Sequence, residues 1–168
     1  MSVFLRALDD SDLEFLYALE NDPAIWGVSD TLAPVSRHAL KQYLAHAGAD
    51  FFEVRQLRLV ICATADSRPV GTLDLFGFEP LHQRAGVGIT VLASARRHGF
   101  ARAALALLLP YARQTLRLHQ LFCTVAADNT ASLRLFRQAG FQRVGVRREW
   151  LRQENFWQDA VELQCLLK

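Results

Sequence analysis

Lysine is nearly missing from this chain of 168 residues: of its 19 basic residues only Lys41 and Lys168 are lysines, and the rest are arginines. Balanced against 17 acidic residues they leave a formal net charge of +2, so the strong basic excess of a dedicated nucleic-acid binder is absent. The arginine bias is in part compositional, although arginine also suits phosphate and carboxylate recognition. Cysteine is scarce as well. Cys62, Cys123 and Cys165 are an odd number, widely separated, each among apolar residues and without a C-x-x-C spacing. This argues against a disulfide framework or a zinc site and for buried thiols in a reducing compartment. No apolar run approaches the roughly 20 residues needed to span a bilayer. The opening "MSVFLRALDDSD" has no basic leader followed by an apolar stretch, so a signal peptide is not expected. A soluble, cytoplasmic protein with no membrane or nucleic-acid partner is the expectation, as a monomer or homodimer. Repeats, low-complexity segments and linkers are also missing, and the length suits one domain over residues 1–168.

What is present is an alternation of strand-like and helix-like segments. "VFLRAL" (3–8) reads as a strand. "DDSDLEFLYALEND" opens with cap-forming aspartates and places Leu13, Leu16, Tyr17 and Glu20 at helical spacing. "NDPAIWG" should break that helix, and Ser36 should cap a second one through "RHALKQYLAHA". "LRLVICATA" (57–65), "VGTLDLFGF" and "AGVGITVL" read as strands, the first two joined by a turn at "DSRP" and the last two by a hairpin-like "EPLHQR". A long helix is expected from about Gly99 to Leu116, with a stripe of Leu105, Leu108 and Leu109 and with Pro110 costing a hydrogen bond or a kink. Then come a strand at "HQLFCTVAA", a capped helix at "DNTASLRLFRQAG" with a terminal glycine, and two closing strands, "FQRVGVRREWL" and "DAVELQCLL". The order βααβββαβαββ implies a single α/β or α+β domain, with a mixed central sheet and helices on both faces.

The stretch "RRHGFAR" (96–102) sets one glycine among arginines, between the strand "GITVL" and the long helix. The first turn of a helix has N–H groups without partners and a dipole that favours negative charge. A residue without a Cβ lets phosphate approach the backbone. These are the parts of a diphosphate cradle; they are equally the parts of an ordinary strand-to-helix turn with solvated arginines.

The arrangement Arg96-x-x-Gly99-x-Ala101 resembles the acyl-CoA loop of the GNAT N-acetyltransferases. Farther on, "ADNTASLRLFRQAGF" resembles that family's second signature, an Asn-x-x-Ser opening a short helix that ends in Gly-Phe. The N-terminal "LRALDDSDLEFLYALEND" is similar to the branch containing the ribosomal-protein and spermidine acetyltransferases. The resemblance covers essentially the whole chain. It implies a GNAT fold and acetyl-CoA as cosubstrate, with no metal. It also implies that the strand before the loop splays from its neighbour, so that the backbone of Ile89, Thr90 and Val91 meets the pantetheine arm and the acetyl carbonyl. Amides from Arg96, Arg97, His98, Gly99, Phe100, Ala101 and Arg102 would surround the pyrophosphate. Asn129 would bond the pantetheine side, besides capping its helix, and Ser132 would lie near the cofactor.

The chain departs from that pattern at several points. Arg97 stands where a first glycine is common, Phe136 replaces a tyrosine that protonates the leaving thiolate, and Gly86 replaces a glutamate that can act as base. The proline that often follows the cofactor strand is also missing; "LASA" stands there. Phenylalanine cannot donate a proton, yet a thiol of pKa near ~8.5 can leave unassisted. An acceptor amine must lose a proton to become nucleophilic, and a carboxylate acting through water suits that task. Asp74 in "TLDLFGF" is the first candidate base, with Glu79 second and His82 on the same connection. Trp150, Phe156 and Trp157 read as core or pocket wall. The expected activity is transfer of acetyl to a primary amine, either a small molecule such as a polyamine or a protein N-terminus, by direct attack in a ternary complex. Asp50, Glu53, Asp74 and Glu79 are the carboxylates that could serve a polyamine. A catalytically silent acyl-CoA sensor is the alternative.

Overall fold

Alternation along three neighbouring strands separates a buried apolar face from one that carries Arg58 and Asp74 beside Val60 and Thr72. In the structure, a computed structural model that describes residues 2–26 and 33–168, β1 (Val3–Ala7), β2 (Leu57–Ala63), β3 (Pro69–Glu79) and β4 (Arg84–Val91) pair antiparallel in sequence order. With β5 (Gln120–Ala126), β6 (Gln142–Arg152) and β7 (Trp157–Leu166) they form a seven-stranded sheet of order β1-β2-β3-β4-β5-β7-β6, in which β4–β5 is the parallel pair. The expected mixed sheet is therefore present, and its seven strands occur along the chain where the sequence led us to expect them.

Residues opposed in register share a face. Leu59, Leu73 and Ile89 fall on one side, with Ile61, Leu75 and Val87. This side forms the main core with Phe100, Ala104, Leu105, Leu108 and Ala112 of the long helix α5 (Phe100–Gln114). Phe136 of α6 (Thr130–Gln138) joins the same core, packed edge-on against Phe141 at 5.1 Å. Pro110 does not end α5. Both it and Ala106, whose carbonyl it leaves without a donor, lie on the exposed side, where water can take the bond.

On the opposite face α1 (Leu13–Glu20) reaches β2 through Glu20, which accepts from Arg58, and α3 (Arg37–Ala45) sets the Tyr43 ring near the same guanidinium; α2 (Pro23–Trp26) follows α1. A 3-10 turn at Asp10–Asp12 precedes α1, closed by a reciprocal Asp9–Asp12 capping box. Asp12 is buried and receives Arg6 through two bonds of 2.7 Å. Burial alone would raise its carboxyl, but the Arg6 bonds, the Asp9 amide and the Arg6 charge together hold it below the usual range. Ser36 caps α3 by accepting from the Ala39 amide. The break after α1 contains a short helix rather than loop, because Pro23 is well placed in a first helical turn. Gly27, the last residue of that expected break, lies outside the described residues. A further turn, α4 (Phe51–Val54), went unforeseen; Asp50 caps it and Phe51 stacks on Phe78 at 4.5 Å.

Cys62, Cys123 and Cys165 are buried free thiols, and burial, with Glu162 nearby, pushes Cys123 up to about 12. Trp150, Phe156 and Trp157 are not core. They are 52%, 60% and 58% exposed, because the β6–β7 hairpin forms the rim of the sheet and a bulge between Arg147 and Leu151 interrupts its alternation. Among the described residues no helix is long and apolar enough to cross a membrane.

Candidate active site

The parallel β4–β5 ladder is short. It joins Arg84–Gly86 to Gln120–Phe122 and stops. From Val87 to Val91, β4 keeps its partner β3 but has no β5 partner among the described residues, so the sheet opens into a cleft whose vertex is Gly86 and Phe122. The Leu92 amide bonds to the Val70 carbonyl. By the alternation of an antiparallel ladder, the N–H and C=O groups of Val87, Ile89 and Val91 then point away from β3, into the cleft. Thr90 directs its main chain toward β3, and its side chain shares a face with Thr72 and Val60. An extended chain bearing amides can pair with such an edge.

The open end of this cleft leads to the start of α5. No side chain caps that helix, in contrast to α3 and α6. Gly99 precedes it with φ +82°, and a Cβ built there would meet nothing within 4 Å. The helix dipole and its first amides therefore face open space beside Arg96, Arg97 and Arg102, and diphosphate fits that arrangement. Arg97, where a glycine is common among the relatives it resembles, has φ +65°. It adopts the backbone that glycine would take, at some cost in strain. Arg96 donates from Nε to the Val91 carbonyl at 3.1 Å, and its Nη2 lies 3.9 Å from Asp22 Oδ2 in the α1–α2 turn. Asn129 caps α6, its side chain accepting from the Ser132 amide at 3.1 Å.

On the helix α1–α3 side of the cleft, Arg58, Asp74 and Gly88 stand in one row across β2, β3 and β4. Arg58 Nε donates to Asp74 Oδ1 at 2.5 Å and Nη1 to Glu20 Oε1 at 2.7 Å. The guanidinium lies 5.6 Å from the centre of the Tyr43 ring. Two carboxylates share one guanidinium, and the cluster carries a net negative charge. Burial raises the Asp74 carboxyl above the ordinary aspartate range; Arg58 and Thr72 oppose the shift and Glu20 adds to it. Burial also raises the Tyr43 phenol. Glu20, Tyr43 and Arg58 were not legible as site residues, because three separate elements bring them together.

Glu79 lies at the far end of β3, opposite Arg84 and beyond the vertex, and His82 is on the exposed turn that follows. Asp50 is engaged in capping α4. The position of Gly86 has a steric explanation: a Cβ there would lie 2.5 Å from Phe76 Cζ, so a glutamate at 86 would require that ring to move. Phe136, where a tyrosine would supply a proton, is buried in the core.

Residues 2–142 match the acetyltransferase (GNAT) domain family. The chain belongs to this family. It is 28% identical over 156 residues to the uncharacterized N-acetyltransferase YoaA of Bacillus subtilis, covering 91% of this chain and 86% of the relative. It is 25% identical over 147 residues to spermidine N(1)-acetyltransferase of Escherichia coli K12, covering 86% and 75%. The crystal structure of spermidine N-acetyltransferase from Vibrio cholerae in complex with CoA and spermine superposes with a TM-score of 0.86 at 25% identity, covering 99% of this chain and 96% of that one. The protein is thus an acyl-CoA-dependent N-acetyltransferase of GNAT fold, with acetyl-CoA as cosubstrate and a primary amine as acceptor.

Proposed function

We propose that this acetyltransferase modifies a primary amine of a polyamine, working as one domain over its full length in the cytoplasm, as a monomer or homodimer. The observation that carries the reading is the Glu20–Arg58–Asp74 cluster, a net-negative group beside the open edge of β4 on the side away from α5. A polycation is drawn to such a surface. The likeness to the spermidine acetyltransferases supports it.

In this reading the main chain of Ile89 and Val91 pairs with the pantetheine arm, and Thr90 lines the acceptor side. Amides and side chains from Arg96 to Arg102 hold the pyrophosphate, and Asn129 and Ser132 flank the arm. Asp74, whose raised carboxyl makes it a better base than a free aspartate, accepts the ammonium proton through water. Glu79 is the second choice. The freed amine nitrogen then attacks the thioester carbonyl; the C–N bond forms, the C–S bond breaks, the new amide nitrogen gives its extra proton to solvent, and the departing thiolate takes one up from solvent. No side chain is asked to replace the tyrosine absent at Phe136.

Thiol release from acetyl-CoA tests the acceptor, comparing spermidine and spermine with a peptide bearing a free N-terminal amine. Saturable turnover with the polyamines, and little with the peptide, is expected. Turnover with the peptide and none with either polyamine would overturn the reading.

A further inference from the structure

Gly86 and Gly88 are two apart on β4, and both face the ring of Phe76. Position 86 is directly opposite Phe76 in register. A Cβ at Gly86 would collide with the ring, whereas one at Gly88 would come within 3.8 Å of its Cε1. The ring therefore lies along the β4 backbone from 86 toward 88, in room that a side chain at 86 would fill. It is also edge-to-face with Phe122, with centroids 6.4 Å apart and planes at 80°. Gly86 and Phe122 are the last pair of the β4–β5 ladder. An aromatic pair thus stands over the vertex of the cleft, although Phe76 is 40% exposed and fills no place in the core.

We propose that Phe76, backed by Phe122, is the residue that limits the length of the acyl group. A chain entering from the α5 end and running along the β4 edge carries its thioester toward the vertex, and the two rings stand where an acyl group longer than acetyl would continue. The proposal rests on the cofactor seat described above and is independent of which amine accepts the acetyl group.

The test uses the intact protein and the variants Phe76→Ala and Gly86→Ala, with CoA, acetyl-CoA, propionyl-CoA and butyryl-CoA. Affinities are read by calorimetry without acceptor, and kcat/KM values with the best amine. Wild type should discriminate against butyryl-CoA. Phe76→Ala should raise the butyryl-to-acetyl ratio by about 10-fold or more, the scale of one or two methylenes in an apolar pocket, with affinity for CoA itself unchanged. Gly86→Ala should displace the ring from its seat and shift the ratio from the wild-type value as well. Normal CoA binding with an unchanged acyl ratio in Phe76→Ala would overturn this proposal alone. Failure of the wild type to bind CoA would overturn the seat and the proposal with it.

Discussion

On one face of β2, β3 and β4 stand Ile61, Leu73, Leu75 and Val87, all buried against α5; on the other, one residue away along the same strands, stand Arg58, Asp74 and Gly88. The first face is redundant. Many apolar side chains share the work of holding α5, and no one of them has a special chemistry. The second also buries Val60 and Thr72, but its functional part has few members, each with its own partner: Asp74 with Arg58, Arg58 with Glu20, Gly86 with the Phe76 ring. Stability should therefore reside on the first face and catalysis on the second, and substitutions can separate them.

The largest loss of stability is expected from the apolar face. Leu105→Ala removes a fully buried side chain between α5 and the sheet and should cost about 2–5 kcal/mol. Thermal unfolding measures it, and any protein that remains folded should keep its KM values.

Asp74→Asn should behave in the opposite way. The amide can still accept from Arg58, so the melting temperature should change little, but it cannot take up the ammonium proton. We expect kcat near neutral pH to fall by about 100-fold, with CoA affinity unchanged. The wild-type rate should decline with acidification, as the Asp74 carboxyl protonates above the ordinary aspartate range. At alkaline pH more acceptor is already neutral, so the gap between variant and wild type should narrow. Equal loss at every pH would assign Asp74 a binding role, and wild-type rates would move the base to Glu79, tested by Glu79→Gln.

The loop before α5 offers the same contrast within a few residues. Gly99→Val puts a β-branched side chain at φ +82°, pointing into the space assigned to phosphate. CoA affinity measured by calorimetry should weaken about 10- to 100-fold, or ~1.4–2.7 kcal/mol, with part of the cost shared by folding. Arg97→Gly, by contrast, relieves a left-handed arginine. The relief, set against the extra freedom of glycine in the unfolded chain, leaves a net gain of about 0.5 kcal/mol. This is the smallest effect, readable as a slight rise in melting temperature.

Much of this is legible in the sequence. Ser36 and Asn129 as caps, Gly99 at the start of α5 and the antiparallel β3–β4 pair follow from local chemistry: hydroxyl, amide and glycine act on amides a few residues away, within reach of a sequence pattern. The apolar stripe of α5 follows from helical spacing alone. The core reading of Trp150, Phe156 and Trp157 failed because bulk and hydrophobicity suggest burial, whereas the β6–β7 hairpin that carries them forms the rim of the sheet.

The linear order of residues thus determines the strands, the longer helices, their caps and the loop suited to phosphate, since these are interactions over one or two turns of chain; the short helices α2 and α4 escaped it. Register fixes the rest. Arg58 meets Asp74 because β2 pairs with β3 in one alignment and not in the next; a slip of one residue would turn both side chains to the other face. The same holds where Phe76 covers Gly86 and where the β4–β5 ladder stops. Pairing between strands is a cooperative choice made by the whole buried face, so the charged face inherits its geometry from the apolar one.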